Sequence, residues 1–417
     1  MKTQPILPAR VDFSDNAVPR SPHYGDVYHA RAGAFAQARH VFLGGNGLPG
    51  RWAGRTRFVI LETGFGLGNN FLASWATWRD DPARCERLVF ISIEKHPLTR
   101  TDLARAHAGS PEPELAAQLQ RAWPPLTPNL HALDFEDGRV RLLLALGDAR
   151  DWLAELVAEV DAFYLDGFSP ALNPDIWDRY TLKSLGRLAA PDATAATWST
   201  APQVHEHLRG AGFEVEKRPG FAKKGRMTVA RFAPRHRVQR PAGREPLAAG
   251  ARTVLVIGAG LAGAACAWAL QRQGLAVTVL DARTAPAQGA SGNPGGLFHG
   301  TFNPGDGPHA RLNRAAALAC QRSLAALPPL PWLQQGLLRL ETSHELAWMR
   351  ARLAEQGLPD DYLQVLDAAE AAALSGLPLT QPAWFYPGGG ALPPADYVQA
   401  LLKASSARLC PDAEVAA

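Results

Sequence analysis

The sequence predicts two α/β units in tandem. Three observations carry this: short apolar runs alternate with helical patterns, two glycine-rich turns each follow an apolar run, and a basic Pro/Gly-rich stretch lies between them. A chain of 417 residues exceeds what one hydrophobic core usually supports. At 47% hydrophobic, 8% aromatic and 20% charged, the composition is that of a folded globular protein and excludes fibrous and disordered classes. Cys85, Cys266, Cys320 and Cys410 are scattered without a Cys-x-x-Cys pair, so neither a disulfide framework nor a zinc site is expected, and no metal. The start, MKTQPILPARVDFSD, lacks a basic segment followed by an apolar run, so a cytoplasmic protein without a signal peptide is expected. The apolar charge-free stretch 253–271 contains three glycines and suits a strand, turn and helix better than a membrane span.

Charge is unevenly distributed. Lys and Arg against Asp and Glu give +5 over residues 1–245 and −1 over the remainder. Between 217 and 244 stand ten basic residues and no acid, among them Lys223, Lys224 and Arg226. Such a stripe can neutralise phosphates and release counterions, and it can equally be a solvated face. Prolines and glycines place a linker at 236–251, between a first domain at 1–235 and a second at 252–417.

In the first domain, apolar runs at 58–62, 88–94, 140–146, 162–166, 195–199, 213–217 and 227–232 read as strands separated by helices, hence a parallel doubly wound sheet. The last two runs are joined by PGFAKKGRM, too short for a helical crossover, so they form an antiparallel hairpin at one edge. Parallel strands closed by a reversed pair are the strand pattern of class I methyltransferases.

The first strand runs into LETGFGLGNNF, with Glu62 at its end and Gly64, Gly66 and Gly68 at alternate positions. Glycines let the chain take otherwise closed backbone angles and approach a ligand. The G-x-G-x-G spacing differs from the G-x-G-x-x-G that sets a pyrophosphate on a helix N-terminus, and it suits the amino-acid part of S-adenosylmethionine. Glu94 ends the second strand, where a carboxylate accepts from ribose hydroxyls; Asp148 follows the third, where an acid holds the adenine amino group; Asp166 closes the fourth. Singly, each acid reads as a helix cap or surface residue. Four at successive strand ends point to one ligand cleft. Methyl transfer to an amine needs an aligned nitrogen lone pair, and a carboxylate beside it can orient the amine and accept its proton. Asp166 is the candidate for that role, with Phe168 available to stack on a base or flank the cofactor.

The runs HVFLGGNGLPGRW at 40–52, GFGLGNNFL at 64–72 and LDGFSPALNPDIW at 165–177 resemble the bacterial bifunctional tRNA 5-methylaminomethyl-2-thiouridine biosynthesis proteins, along nearly the whole chain. That family's turn usually reads GFGTGLNF, so Leu67 and Asn69 depart from it while the three glycines are kept. The resemblance implies a methyltransferase that completes the methylaminomethyl group on a wobble uridine, with the tRNA anticodon region as partner and Asp166 as catalytic acid. It also implies that Tyr24, Asp26 and Tyr28 in SPHYGDVYHA line the acceptor side, a segment that otherwise reads as an ordinary loop.

After the linker, TVLVIGAGLAGAACAWALQRQGLAVTVLDA sets a strand, Gly258, Gly260 and Gly263 in G-x-G-x-x-G order, a helix, a second strand and Asp281, 18 residues past the third glycine. On that basis FAD and NAD both remain open. GASGNPGGLFHG at 289–300 lacks a dehydrogenase's helical continuation and resembles the flavin loop of the glycine oxidase and D-amino-acid oxidase group, which favours FAD and a partial FAD-binding Rossmann-like domain. Family membership implies that this domain oxidatively removes a carboxymethyl group, exposing the amine that the first domain methylates. Asp281 stands where Glu is usual. The 165 residues from 253 hold no segment returning to complete the flavin site, so a C-terminally truncated oxidase is expected.

His205-Glu206-His207 reads as surface rather than zinc-binding, and Trp75, Trp78 and Trp123 read as core. Two rival functions are a small-molecule or protein amine methyltransferase with a non-functional flavin domain, and an RNA-binding protein with decayed sites.

Overall fold

The computed structural model describes residues 4–15, 18–236 and 252–415. Two compact units divide near residue 241, and each is described by itself. The expected linker at 236–251 lies, from 237 onward, outside the described residues, as do Arg237, Arg240 and Arg244 of the basic stripe.

The first unit is built on an eight-stranded sheet. Its strands are β1 (Phe58–Glu62), β2 (Leu88–Glu94), β3 (Leu130–Phe135), β4 (Val140–Leu146), β5 (Val160–Tyr164), β6 (Ala189–Thr197), β7 (Phe213–Pro219) and β8 (Arg226–Phe232). The order is β3-β4-β2-β1-β5-β6-β8-β7. Five neighbours from β4 to β6 are parallel. The reversed pair closes one edge as expected, Phe213 opposite Phe232 and Pro219 opposite Arg226. The other edge differs from expectation: β3 adds a second hairpin, antiparallel to β4. Every residue of β1 and β5 is buried, as in a parallel strand covered on both faces, and the two acids among them, Glu62 and Asp161, are hydrogen-bonded.

Helices α1 (Asn69–Asp80), α2 (Ala149–Glu155) and α3 (Pro202–Gly210) pack against this sheet. Trp75, Trp78 and Trp123 are core, and each indole N–H has a partner: Glu136 Oε1 at 2.9 Å, the Cys85 carbonyl at 2.9 Å and the Leu98 carbonyl at 3.0 Å. His205 and His207 are not free surface groups. His205 is buried on the inner face of α3 with Nε2 2.7 Å from Thr228 Oγ1, and His207 Nδ1 lies 2.8 Å from the Trp177 carbonyl. The run at 40–52 serves packing: Asn46 Nδ2 donates to the Phe42 and Phe163 carbonyls, and a Cβ at Gly45 would meet Ala196 Cβ at 2.7 Å.

The second unit holds a parallel sheet of β9 (Thr253–Ile257), β10 (Ala276–Leu280) and β15 (Arg408–Cys410), with α4 (Leu261–Gln271) crossing from β9 to β10. An antiparallel sheet joins β11 (Gly296–Phe298), β12 (Gln334–Leu340), β13 (Gln364–Leu366) and β14 (Ala383–Leu392). On β9, Leu255 and Ile257 are 68% and 69% exposed, so that face of the parallel sheet is apolar and open. Among the described residues no helix is long and apolar enough to cross a membrane, and the stretch at 253–271 is β9, a turn and α4.

Gly68 heads α1 with φ +80°, and a Cβ there would sit 2.8 Å from the Phe65 ring. A non-glycine residue in that conformation costs roughly 1–2 kcal/mol before the ring is moved. Gly68→Ala is therefore expected to lower the melting temperature of the first unit by roughly 3–8 °C. A calorimetric scan showing no change would remove Gly68 as a conformational requirement.

Candidate active site

The carboxyl ends of the parallel strands open into a cleft of about 1380 Å³. This is where a doubly wound sheet leaves a crevice, because the connections diverge on either side of the first strand. Gly64 and Gly66 of the β1–α1 turn line it; Gly68 stands behind the wall as the helix cap. A Cβ on Gly64 would lie 3.2 Å from the Asp166 carbonyl, and one on Gly66, at φ +52°, 3.4 Å from Tyr28. The turn is thus wedged between the Asp166 loop and the N-terminal segment.

Glu94 lines the cleft at the end of β2. Its Oε2 accepts from the Gly66 amide at 2.7 Å and its Oε1 from the His96 amide at 2.7 Å. Burial pushes its pKa up to about 7 despite these donors. Asp148 also lines the cleft while capping α2, accepting from the Arg150 amide at 2.9 Å, and it pairs with Lys95 at 2.9 Å. Asp148 thus both caps α2 and lines the cleft.

Glu62 departs from expectation. It is fully buried and does not line the cleft, because the strand carries its side chain beneath the floor. There Oε1 accepts from Asn70 Nδ2 at 2.8 Å and Oε2 from Ser92 Oγ at 2.6 Å. Burial, with Asp166 nearby, raises its pKa to about 8 against the Ser92 and Asn70 hydrogen bonds.

Asp166 stands two residues beyond β5 and lines the cleft. Oδ2 accepts from Asn70 Nδ2 at 2.8 Å; Oδ1 accepts from the Gly167 amide at 2.9 Å and from Trp198 Nε1 at 3.2 Å. Burial raises its pKa to about 6 against those donors and the Lys224 charge. Asn70 and Trp198 went unnoticed in the sequence. The available signals were positional: Asn70 is in the first turn of the helix after the glycine turn, and Trp198 directly follows β6.

The other residues expected on the acceptor side also gather here. Tyr24, Asp26 and Tyr28 belong to a short ribbon, Arg20–Ser21 paired with Asp26–Val27, whose residues line the cleft. Tyr24 stacks on Phe168 with centroids 4.6 Å apart, and Tyr28 meets the same ring edge-on at 5.2 Å. Asp26 Oδ2 accepts from the Ser169 amide at 2.9 Å, tying the ribbon to the Asp166 loop. Lys223, Lys224 and Arg226 come from the β7–β8 hairpin. Lys224 Nζ lies 3.4 Å over the Trp198 ring; burial lowers its pKa while Asp26 and Asp166 oppose that.

In the second unit, Gly258 has φ +97°, Gly260 caps α4, and a Cβ on Gly263 would meet the Gly258 carbonyl at 1.8 Å. Asp281 Oδ2 accepts from the Ala259 amide at 2.6 Å and Oδ1 from the Arg283 amide at 2.9 Å, which together hold its pKa low. A glycine turn this tight, with amides at a helix start and an acid beside it, fits a dinucleotide's pyrophosphate and ribose.

Residues 110–233 match the family described as S-adenosyl-L-methionine-dependent methyltransferase, and 253–415 match the FAD dependent oxidoreductase family. The chain is 57% identical over 414 residues to the tRNA 5-methylaminomethyl-2-thiouridine biosynthesis bifunctional protein MnmC of Methylibium petroleiphilum, covering 97% of this chain and 63% of that one. It is 49% identical over 406 residues to the protein of the same description from Azoarcus sp., covering 96% and 63%. The crystal structure of MNMC2 from Aquifex aeolicus gives a TM-score of 0.45 at 24% identity, over 55% of this chain and 71% of that one. The chain spans 63% of the length of these two curated relatives.

Glu62 supplies a pH signature. Its folded pKa, about 8, lies above the ordinary 4.5, so the native state binds the extra proton and this contribution to stability fades as pH rises from 4.5 through 8. Glu62→Gln has no such titration. The melting-temperature difference, wild type minus variant, is expected to shrink steadily between pH 5 and pH 8. A difference that stays constant would show that Glu62 does not titrate there.

Proposed function

The chain belongs to the family of bifunctional tRNA 5-methylaminomethyl-2-thiouridine biosynthesis proteins, and from that premise we propose that its first unit methylates the aminomethyl group of a wobble uridine in the tRNA anticodon region. The observation that carries this is Asp166: an acid at the carboxyl edge of the sheet, held by three hydrogen bonds and open to the cleft. S-adenosylmethionine, when bound, supplies an electrophilic methyl group on sulfur. Gly64 and Gly66 would admit its amino-acid part, Glu94 its ribose, and Asp148 its adenine.

Asp166 works as orienter and proton acceptor. With a pKa near 6 it is ionised at neutral pH, and its oxygens can accept from the acceptor nitrogen, turning the lone pair toward the methyl group. As nitrogen becomes positive, the same carboxylate stabilises the charge and takes the proton. Phe168, stacked on Tyr24 and braced by Tyr28, offers an aromatic surface to the base. Lys223, Lys224 and Arg226 at the rim suit the phosphates on either side of it.

The second unit would hold FAD through Gly258, Gly260, Gly263 and Asp281. Bound flavin supplies the two-electron oxidation by which the carboxymethyl group leaves the same side chain, exposing the primary amine that the first unit uses. The decayed RNA-binding alternative is disfavoured by the intact set of acids, donors and glycines around the cleft.

Asp166→Ala is expected to cut transfer of radiolabel from S-adenosylmethionine into aminomethyl-thiouridine tRNA by on the order of 10²–10⁴-fold, with S-adenosylmethionine binding retained. A variant as fast as wild type would remove Asp166 from the chemistry. Arg226→Ala is expected to weaken tRNA binding and lower the slope of log affinity against log salt by about 1; an unchanged slope would place Arg226 away from the RNA.

A further inference from the structure

The side-chain amide of Asn70 touches two carboxyl groups at once. Nδ2 lies 2.8 Å from Glu62 Oε1 and 2.8 Å from Asp166 Oδ2, so each of its two protons has its own acceptor. We propose that Asn70 is a positioning residue for Asp166: its amide, oriented from below by Glu62, fixes Oδ2 and thereby sets the direction of the carboxylate that faces the acceptor amine. This rests on the reading of Asp166 given above.

The geometry supplies the reason. Were the amide reversed, its oxygen would face the Asp166 carboxylate; the donor orientation satisfies Asp166 Oδ2 and, with Glu62 Oε2 held by Ser92, Glu62 Oε1 as well. Glu62 itself is fully buried, is absent from the cleft wall, and has its other oxygen 2.6 Å from Ser92 Oγ. It touches nothing in the cleft, and its route to the site runs through Asn70. Asn70 is buried in the first turn of α1, a rigid element, which suits an orienter better than a loop does. Lys224 on the hairpin attracts the Asp166 charge toward the cleft, so the carboxylate needs a donor on its inner side to keep its direction. With Gly167 and Trp198 both on Oδ1, Asn70 is the donor that pins the opposite oxygen.

The test uses Asn70→Leu, close in shape but without a donor, and Asn70→Ala, a smaller variant. Carbon-13 NMR of labelled aspartate carboxyls, with the Asp166 signal assigned from Asp166→Asn, follows its titration directly. Loss of a donor to the charged form is expected to move that midpoint up by roughly one pH unit. In the methylation assay kcat at neutral pH is expected to fall on the order of 10- to 100-fold, with the dissociation constant for S-adenosylmethionine nearly unchanged. An unmoved midpoint in folded variants overturns the proposal even if kcat falls, since Asn70 would then act on the cofactor or on packing. If wild type fails to methylate the tRNA, the functional reading falls, while the carboxyl titration still decides whether Asn70 positions Asp166.

Discussion

The hydrogen bonds from Asn70 to Glu62 and Asp166 tie together the ends of β1 and β5, neighbours at the centre of the sheet. Parallel strands deliver their carboxyl ends to one edge, and here that edge carries Glu62, Glu94, Asp148 and Asp166. Glu94, Asp148 and Asp166 line a partly dry cleft and Glu62 is buried beside it, so each needs hydrogen-bond donors in place of water. The site is accordingly rich in them: two backbone amides on Glu94, an amide and Lys95 on Asp148, and a backbone amide, an indole and the Asn70 amide on Asp166. What distinguishes the acids is burial against donors. Burial raises Glu62 to about 8 and Asp166 only to about 6, so near pH 7 Glu62 is mostly neutral while Asp166 is mostly ionised, as the role proposed for Asp166 requires.

The parallel core was legible because strands buried on both faces read as unbroken apolar runs; those at 58–62, 88–94 and 140–146 coincide with β1, β2 and β4. β3 was not, since LHALDF alternates between buried and less buried positions and borrows its regularity from pairing with β4. Glu94, Asp148 and Asp166 were legible as cleft residues because strand ends fix where they point. Glu62 was misplaced because register sets it beside Ser92, two residues short of Glu94, where its side chain is wholly buried and off the cleft wall. Asn70, Trp198 and the ribbon at 20–27 have no periodicity to read. Their role exists only once the chain has folded around Asp166.

Charge behaved differently in the structure than in the count. Within the hairpin Glu216 pairs with Arg218 at 3.1 Å and Glu214 with Arg231 at 2.9 Å, so two of the stripe's cations are offset by acids that precede it in sequence. Cross-strand register makes the Glu214–Arg231 pair, since those residues face each other on β7 and β8. The cations left at the cleft rim come from the hairpin turn and the first residue of β8, beyond reach of those partners. A polyanion approaching the cleft would meet Lys223, Lys224 and Arg226 rather than a uniform basic face.

The two glycine turns show how one local device is adapted to different ligands. In both units the acid ending the second strand braces the turn: Glu94 accepts from the Gly66 amide at 2.7 Å, and Asp281 from the Ala259 amide at 2.6 Å. In both, its second oxygen accepts from the amide two residues onward, at His96 and at Arg283. The carboxylate is thereby fixed by backbone alone, leaving its remaining lone pairs for ribose hydroxyls. The difference lies in the third glycine. Gly263 lets α4 close against the Gly258 carbonyl, aiming a helix start at a pyrophosphate, whereas Gly68 takes a left-handed cap that opens the turn toward Asn70 and Asp166. Each acid braces its turn through one oxygen and is itself held through the other, so Asp281, although shorter than the Glu usual there, keeps the brace intact.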